Sequence, residues 1–301
     1  MQRSVPNASF TKKAGVWHVS FGVHVERSSV AWNAKPGCGV DFGVACSAFV
    51  SDEDEPRLMA PSLTEGEKRR LLGLERRKAR QISYANKDNQ GRYSKRLRRT
   101  TNEIAKLKAR QAARRLDFTH KLTTDLAKNH GYVGREDLAV KAMTAGAKGT
   151  GEDPGTNVAA KAGLNRGILD NIPGERARQL AYKATWYGSA DIAVPAPGTS
   201  QTCPECHERD PLSREGCGRL FACVHCGYEG HADKVASIEI DRRAGELLAR
   251  IVVEALVIAG GHPVNSTGRG SRKVTTSQSP RAEGASVNHP QGHGPTASAA
   301  A

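Results

Sequence analysis

The chain has 301 residues and a formal net charge of +14, with 45 Lys and Arg residues against 31 Asp and Glu. This length allows one large domain or two modest ones, each with its own core. No apolar run approaches the ~20 residues that span a bilayer, since Arg250 and Glu254 interrupt the nearest candidate, Leu247 to Ala259. The first residues also lack the apolar core of a signal peptide. We therefore expect a soluble intracellular protein with no membrane partner.

The first fifty residues read as β structure. Val16 to Glu26 alternates apolar and polar side chains, which predicts a half-buried strand. A second strand is predicted from Gly39 to Val50, and it contains Asp41. A carboxylate inside a strand is costly to desolvate unless a cation or hydrogen-bond donors meet it. Asp41 is therefore either a functional acid or a strand-end residue that faces solvent.

Two long helices are predicted next, from about 63 to 84 and from about 92 to 129, as a helical hairpin. From Lys68 to Arg115 the sequence contains 18 Lys and Arg residues but three acids, a net charge of +15. Such a block is either a solvated helical face, which would carry acids four residues away, or a surface for a polyanion. Because acids are scarce, the sequence favours the second alternative, a surface that binds nucleic acid. The candidate phosphate contacts are Arg76, Arg77, Arg80, Arg96, Arg98 and Arg99.

The second half of the chain alternates short strands with helices. A strand that ends in acids contains Glu136, and a later helix is predicted to have its cap at Asn171, because Pro173 suits the first turn. The last helix is predicted with a break near Gly245. The remaining residues are rich in Ser, Thr, Gly, Pro and Ala, which predicts disorder. The predicted bounds are 132–138 and 191–194 for the strands, 171–187 and 232–259 for the helices, and 261–301 for the disordered tail.

Four cysteines form two C-x2-C pairs with sixteen residues between them, and Asp233 follows seven residues after the last cysteine. Two such knuckles can place four thiolates in a tetrahedron around one structural Zn²⁺. The alternatives are two disulfides, which need an oxidising compartment, or four unrelated buried thiols. The predicted ligands are Cys203, Cys206, Cys223 and Cys226, whereas Cys38, Cys46 and Cys217 are predicted not to be ligands.

Several motifs together resemble the TnpB (OrfB) family, which insertion sequences encode and which is related to the type V CRISPR effector nucleases. The motifs follow the order and spacing of the family over about residues 10 to 245. They are GVDFGV around Asp41, REDLAVKAM from Arg135, KAGLNR from Lys161, LAYKA from Leu180, and the two cysteine knuckles followed by Asp233.

The resemblance implies an α/β fold of the RNase H-like (RuvC) type, a mixed sheet with helices on its faces, a long basic helical hairpin insertion and a zinc-ribbon insertion. It also implies that Asp41, Glu136 and Asp233 are catalytic acids that hold two Mg²⁺ for phosphodiester cleavage. DNA and a guide RNA are the implied partners. The implied function is RNA-guided DNA cleavage in the bacterial cytoplasm, in association with the nucleoid.

Two departures from the family pattern leave alternatives open. Val235 stands where the family has Asn two residues after its third acid, and only about 38 residues precede the first motif. Two alternatives to a nuclease therefore stay open. The chain is either a truncated protein that binds nucleic acid without cutting it, or a decayed copy. The predicted domains are a β-rich remnant at 1–36, a nuclease core at 37–198 that includes the hairpin at 63–129, a ribbon at 199–230, a core helix at 231–260 and the tail.

Overall fold

A computed structural model of the chain describes residues 7–24, 30–43, 47–88, 94–147, 149–150, 152, 154–214 and 219–259. The predicted tail and the two predicted non-ligands Cys46 and Cys217 lie outside these described residues. Within the described ranges, no helix combines the length and the apolar character needed to cross a membrane.

The described chain begins with an antiparallel hairpin of β1 (Asn7–Lys13) and β2 (Val16–Gly22). The predicted strand from Val16 is confirmed, but the half-burial predicted for it is wrong, because six of the seven residues of β2 are exposed. Its pairing ends at Gly22, which lies opposite the first residue of β1. β1 is not predicted from the sequence. Alternation is weak in its sequence NASFTKK, so the periodicity that reveals β2 is missing there.

The centre of the fold is a four-stranded mixed sheet with the order β4-β3-β5-β6. β3, β5 and β6 are parallel to one another, and β4 is antiparallel to β3. The prediction of one continuous strand from Gly39 to Val50 is wrong, because the chain turns back and Val40 pairs with Val50. The strands are β3 (Cys38–Asp41), β4 (Phe49–Val50), β5 (Tyr132–Asp137) and β6 (Ala190–Pro195).

Six α-helices occur in the described part of the chain. They are α1 (Glu65–Asp88), α2 (Lys95–Asn129), α3 (Val140–Met143), α4 (Val158–Asp170), α5 (Pro173–Tyr187) and α6 (Ala232–Ala259). The two predicted helices of the hairpin are confirmed by α1 and α2, and the predicted start of the last helix is confirmed by α6. β7 (Leu220–Ala222) and β8 (Glu229–His231) form a further antiparallel pair. β7 ends just before the second cysteine pair, and β8 lies between that pair and α6.

Two helix-end predictions are wrong. Asn171 is the C-cap of α4 and not the N-cap of α5. The N-cap of α5 is Ile172, which has a left-handed backbone with φ of 42° and whose side chain makes no capping hydrogen bond. The break expected at Gly245 does not occur, because α6 continues through it. A Cβ at Gly245 would lie 2.9 Å from the hydroxyl oxygen of Tyr132, so this glycine lets the helix approach β5 closely.

The basic hairpin is capped at both helix starts. Thr64 and Glu67 bond reciprocally at the start of α1, with each side chain accepting from the other residue's backbone N–H at 3.3 and 3.0 Å. Ser94 accepts from the N–H of Leu97 at 3.1 Å at the start of α2. The contact between the helices is narrow and apolar, and its buried side chains are Leu74, Ile104 and Leu107.

The two faces of the sheet pack against different helices. On one face, Cys38 and Val40 are buried with side chains of α2 and α5, which are Leu122, Leu126 and Leu180. On the other face, α6 is fastened by the carboxylate of Asp241. Tyr132 of β5 donates to it at 2.8 Å, and Ser51 donates at 2.9 Å while accepting from the N–H of Gly39 at 2.9 Å. These bonds fix the height of α6 over β3 and β5.

Candidate functional site

Asp41 and Glu136 lie at the carboxyl ends of neighbouring parallel strands. The register pairs Val40 of β3 with Arg135 of β5. The next residues along the two strands, Asp41 and Glu136, therefore lie side by side. Because side chains alternate along a strand, the two acids point to the same face of the sheet.

The same face carries α6, whose first turn contains the third acid, Asp233. The approach of α6 depends on Gly39 and Gly134, since a Cβ at Gly39 would lie 2.1 Å from the carbonyl oxygen of Ser237. Asp233 precedes Ser237 by about one helical turn, and Asp41 lies two residues beyond Gly39. The helix therefore places its acid above the end of β3.

The electrostatics of Asp41 show that the three acids form one cluster. Burial, together with the negative charges of Glu136 and Asp233, raises the pKa of the Asp41 carboxyl to about 8, while the positive charge of Arg214 acts in the opposite direction. Like charges that disfavour ionisation in this way must lie close together. The structure thus brings together all three acids that the resemblance singles out.

Glu136 has a more structured environment than Asp41. Burial raises its pKa, whereas a hydrogen bond from the hydroxyl of Thr199 and the charges of Arg243 and Arg214 lower it. Arg214 also donates to the hydroxyl of Ser200. The sequence does not predict the roles of Thr199, Arg214 and Arg243, because Thr199 and Arg214 approach the acids only when the cysteine-rich segment folds back onto the sheet, and Arg243 only when α6 packs there. The available sequence signals are that Thr199 and Arg214 flank the first knuckle and that Thr199 begins the run TSQTC, which resembles the family.

Three carboxylates with few compensating cations form a donor set that suits a hard divalent cation. Carboxylate oxygens are the preferred ligands of Mg²⁺, and a bound cation would remove the repulsion that raises the pKa of Asp41. The residue types therefore fit the group that the resemblance implies, although in the described part of the chain the ligand atoms that already lie close enough to share one ion are the cysteine sulfurs described next.

The four predicted metal-ligating cysteines form a second cluster. Cys203 and Cys226 have their Sγ atoms 3.6 Å apart, as do Cys206 and Cys223, and all four atoms lie within 4.8 Å of one another. A disulfide would require about 2.05 Å, so the disulfide alternative does not describe this cluster. Four thiolates at about 2.3 Å from one tetrahedral ion would stand about 3.8 Å apart. The cluster has the size of a four-thiolate metal site.

Each C-x2-C pair forms a tight turn of the same design. The N–H of His207 donates to the carbonyl of Cys203 at 3.0 Å, and the N–H of Gly227 donates to that of Cys223 at 3.0 Å. His207 and Gly227 both have left-handed backbones, with φ of 61° and 79°. The equivalent conformations make the two turns a matched pair that presents its thiols to one point.

The ribbon and α6 share one small core. Val235 is fully buried there, together with Cys203, Phe221, Cys223 and Ala232. The residue that departs from the family pattern is therefore a packing residue in this protein. An Asn at this position would bring an amide into an apolar cluster.

The six candidate arginines lie toward the tip of the basic hairpin. All six are exposed, and none of them forms an ion pair with another described residue. Nearer the base of the hairpin, by contrast, Arg70 pairs with Glu103, and Arg110 and Arg114 pair with Glu67. The uncompensated charge is thus concentrated toward the tip.

Comparison with known proteins bears on the family resemblance. Residues 20–146 match the OrfB_IS605 family model, described as "Probable transposase", and residues 174–240 match the model for the TNB domain of Cas12f1-like proteins. The chain is 36% identical over 231 residues to "Putative RNA-guided DNA endonuclease InsQ" of Escherichia coli K12, covering 76% of this chain and 54% of that protein. These matches confirm the predicted resemblance to the OrfB family.

The matched regions of the chain contain both clusters. The first includes Asp41, Glu136 and the basic hairpin, and the second includes the four cysteines and Asp233. A protein of Mycobacterium tuberculosis H37Rv with the same endonuclease description is 31% identical over 208 residues, covering 68% of this chain and 41% of that protein. The chain spans about half the length of the curated relatives it matches.

Among solved structures, the chain is similar to one described as a Cas12f1-sgRNA-target DNA complex, with a TM-score of 0.45 and 14% identity. The similarity covers 79% of this chain and 46% of that one. A similarity of this size adds nothing to the family resemblance, which rests on the sequence matches.

Proposed function

We propose that this chain is an RNA-guided DNA endonuclease with an RNase H-like (RuvC) core, and that Asp41, Glu136 and Asp233 are its catalytic acids. The observation that carries the proposal is the convergence of these acids from β3, β5 and α6, with the pKa of Asp41 raised to about 8. The family resemblance and the description of the relatives as RNA-guided DNA endonucleases support the same activity.

Each residue of the site has a part in the proposed reaction. Asp41, Glu136 and Asp233 would hold Mg²⁺ through their carboxylate oxygens, and Asp41 would have to lose its proton to do so. When bound, the metal would supply an activated water and stabilisation of the leaving oxygen of the phosphodiester. Thr199 holds the carboxylate of Glu136 in one orientation through its hydrogen bond. The guanidinium of Arg214, which lies near Asp41 and Glu136, limits their repulsion and is placed to meet a phosphate.

The four-cysteine cluster is proposed to bind one structural Zn²⁺. Soft thiolates select Zn²⁺, whereas the hard carboxylates select Mg²⁺, so the two metals do not compete for one site. Because protein ligands fill all four positions, no position remains for a reacting water. This ion stabilises the ribbon, and through the core around Val235 it stabilises the start of α6, which carries Asp233.

DNA and a guide RNA are the proposed partners of the basic hairpin. Its exposed, unpaired arginines suit bidentate phosphate contacts, and the hairpin is a separate element from the acid cluster. Binding and cleavage should therefore be separable by mutation.

The proposed function is tested with protein purified after co-expression with its RNA, a target DNA and Mg²⁺. Asp41→Asn, Glu136→Gln and Asp233→Asn should each abolish cleavage, because the carboxylates act as one unit, while DNA and RNA binding persist. Asp137→Asn is the matched control, since Asp137 is the exposed neighbour of Glu136 and should leave cleavage intact.

Two results would contradict the proposed function. Cleavage that survives in the acid variants would place the chemistry elsewhere. A wild-type protein that binds RNA and DNA but never nicks would instead be a nucleic-acid-binding protein without nuclease activity.

A further inference from the structure

The second half of α5 presents aromatic rings and cations that the acid cluster does not use. Tyr182 and Trp186 pack edge to face with their ring centroids 4.6 Å apart, and Trp186 is 43% exposed. The ammonium of Lys128 lies 5.1 Å from the ring centroid of Tyr187, and the guanidinium of Arg178 lies 5.5 Å from that of Tyr182. We call these five residues the α5 aromatic surface.

The composition of this surface points to nucleic acid. Aromatic residues make up only 5% of the chain, yet three of them fall within six residues of one helix. After Glu175, which pairs with Arg178 at 2.6 Å, α5 contains no acid. Lys128 is exposed, and it forms no ion pair within the described part of the chain. An exposed indole, flanked by half-buried tyrosines and near an ammonium without an acidic partner, is typical of surfaces on which bases of a single strand stack.

A second lysine extends the cationic side of this surface. The ammonium of Lys35 donates to the carbonyl of Lys128 at 3.1 Å and to the side chain of Asn129 at 3.3 Å. Both lysines therefore stand at the end of α2, next to Tyr187. A phosphate backbone that follows the stacked bases would meet these two ammonium groups.

The position of the surface shows which strand it can hold. α5 begins near the same ends of the strands as the acids but on the opposite face of the sheet, since Pro173 lines a small cavity together with Phe42, the residue after Asp41. The helix spans about 22 Å, and Tyr187 leads into the start of β6, at the opposite ends of the strands from the acids. A strand stacked near Tyr187 is therefore remote from the acid cluster and is not positioned for cleavage there.

We propose that the α5 aromatic surface binds a single-stranded segment of RNA, with bases stacked on Trp186 and Tyr182 and phosphates on Lys128 and Lys35. RNA is the occupant because the surface lies away from the acids and, under the proposed function, RNA is the strand that is bound without being cut. The inference rests on the proposed function for the identity of this strand alone.

The test measures binding of a fluorescein-labelled twelve-nucleotide oligoadenylate RNA in EDTA, so that cleavage plays no part. Trp186→Ala and Tyr182→Ala should each weaken RNA binding by about 5- to 150-fold, the range for the loss of one stacked base. Trp186→Phe should retain most of the affinity, because it keeps a ring at this position. Thr185→Ala, an exposed change on the same helix, is the matched control and should bind like the wild type.

Further measurements separate this inference from its alternatives. Thermal melts of all variants, followed by circular dichroism, should match that of the wild type. If Tyr182→Ala does not fold, the affinities of Trp186→Ala and Lys128→Gln for RNA are compared with the wild type instead. RNA affinity that is unchanged in the folded Trp186→Ala and Lys128→Gln variants would overturn the proposal. An equal loss for the deoxy oligonucleotide would show that the surface does not prefer RNA, and a larger loss would assign it to DNA; either result would overturn the choice of RNA. Asp41→Asn should bind RNA normally, so failure of the nuclease proposal and failure of this one give different results.

Discussion

Ionisation of the Asp41 carboxyl lowers the stability of the folded protein, because this group is buried near two other acids. Burial and the charges of Glu136 and Asp233 raise its pKa to about 8, compared with about 3.9 for an Asp in an unfolded chain. The folded protein therefore binds this proton more tightly than the unfolded protein does. The resulting stability is fully present below about pH 4 and is lost progressively as the pH rises through about 8.

Replacing Asp41 with Asn should stabilise the metal-free protein at high pH, because the amide has no charge to desolvate. Without added divalent cations, we expect the melting temperature to rise by about 3 °C or more at pH 8.5, and to rise by clearly less at pH 6, where the zinc thiolates are still retained. Calorimetry of reduced protein at both pH values, with zinc retained in the ribbon, checks this. Asp137→Asn should show no such pH-dependent gain. An identical shift of Asp41→Asn at both pH values would mean that its carboxyl is not held in a repulsive cluster.

The knuckle turns are the elements most sensitive to metal. Purified protein should contain about one zinc per chain, and Cys203→Ser or Cys226→Ser should release it and lower the melting temperature, because the ribbon core is small. Metal analysis of reduced protein measures the content, and Cys217→Ser is the control that should keep its zinc. A folded, reduced sample without zinc would refute the proposed site.

The basic hairpin should reveal its phosphate contacts through salt dependence. Each neutralised phosphate of duplex DNA contributes about −0.9 to the slope of log K against log salt. Changing the six exposed arginines to Gln should flatten this slope by several units, whereas changing Arg70 and Arg110, which pair with acids, should alter it less. Binding titrations at four or more salt concentrations measure the slope. An unchanged slope in the six-residue variant would make the tip a solvated surface.

At the level of elements, the sequence predicted what local pattern controls. Apolar spacing identified α1 and α2, and alternation identified β2, because both signals lie within one element. The turn between β3 and β4 escaped prediction, since an apolar stretch looks the same whether it continues or folds back. The predicted break at Gly245 was wrong because this glycine lets α6 pack closely against Tyr132. That contact joins residues far apart in sequence, so no local pattern reveals it.

At the level of the whole molecule, the two clusters differ in how far sequence could identify them. The cysteine spacing predicted four convergent thiols, and the structure confirms their convergence. The acids could be chosen only through the family resemblance, because each alone is an ordinary strand-end or helix-start residue. Arg214 and Thr199 could not be predicted, since they reach the acids only after the segment around the ribbon folds against β5.

The claim on which the proposed function depends is that three carboxylates from β3, β5 and α6 form one site for a divalent cation. The most direct measurement is anomalous diffraction at the manganese edge from crystals grown with Mn²⁺ in place of Mg²⁺. We predict Mn²⁺ density bound by Asp41 together with Glu136 or Asp233, and its loss in crystals of Asp41→Asn. Density found only elsewhere in wild-type crystals, or the same density in the variant, would contradict the claim.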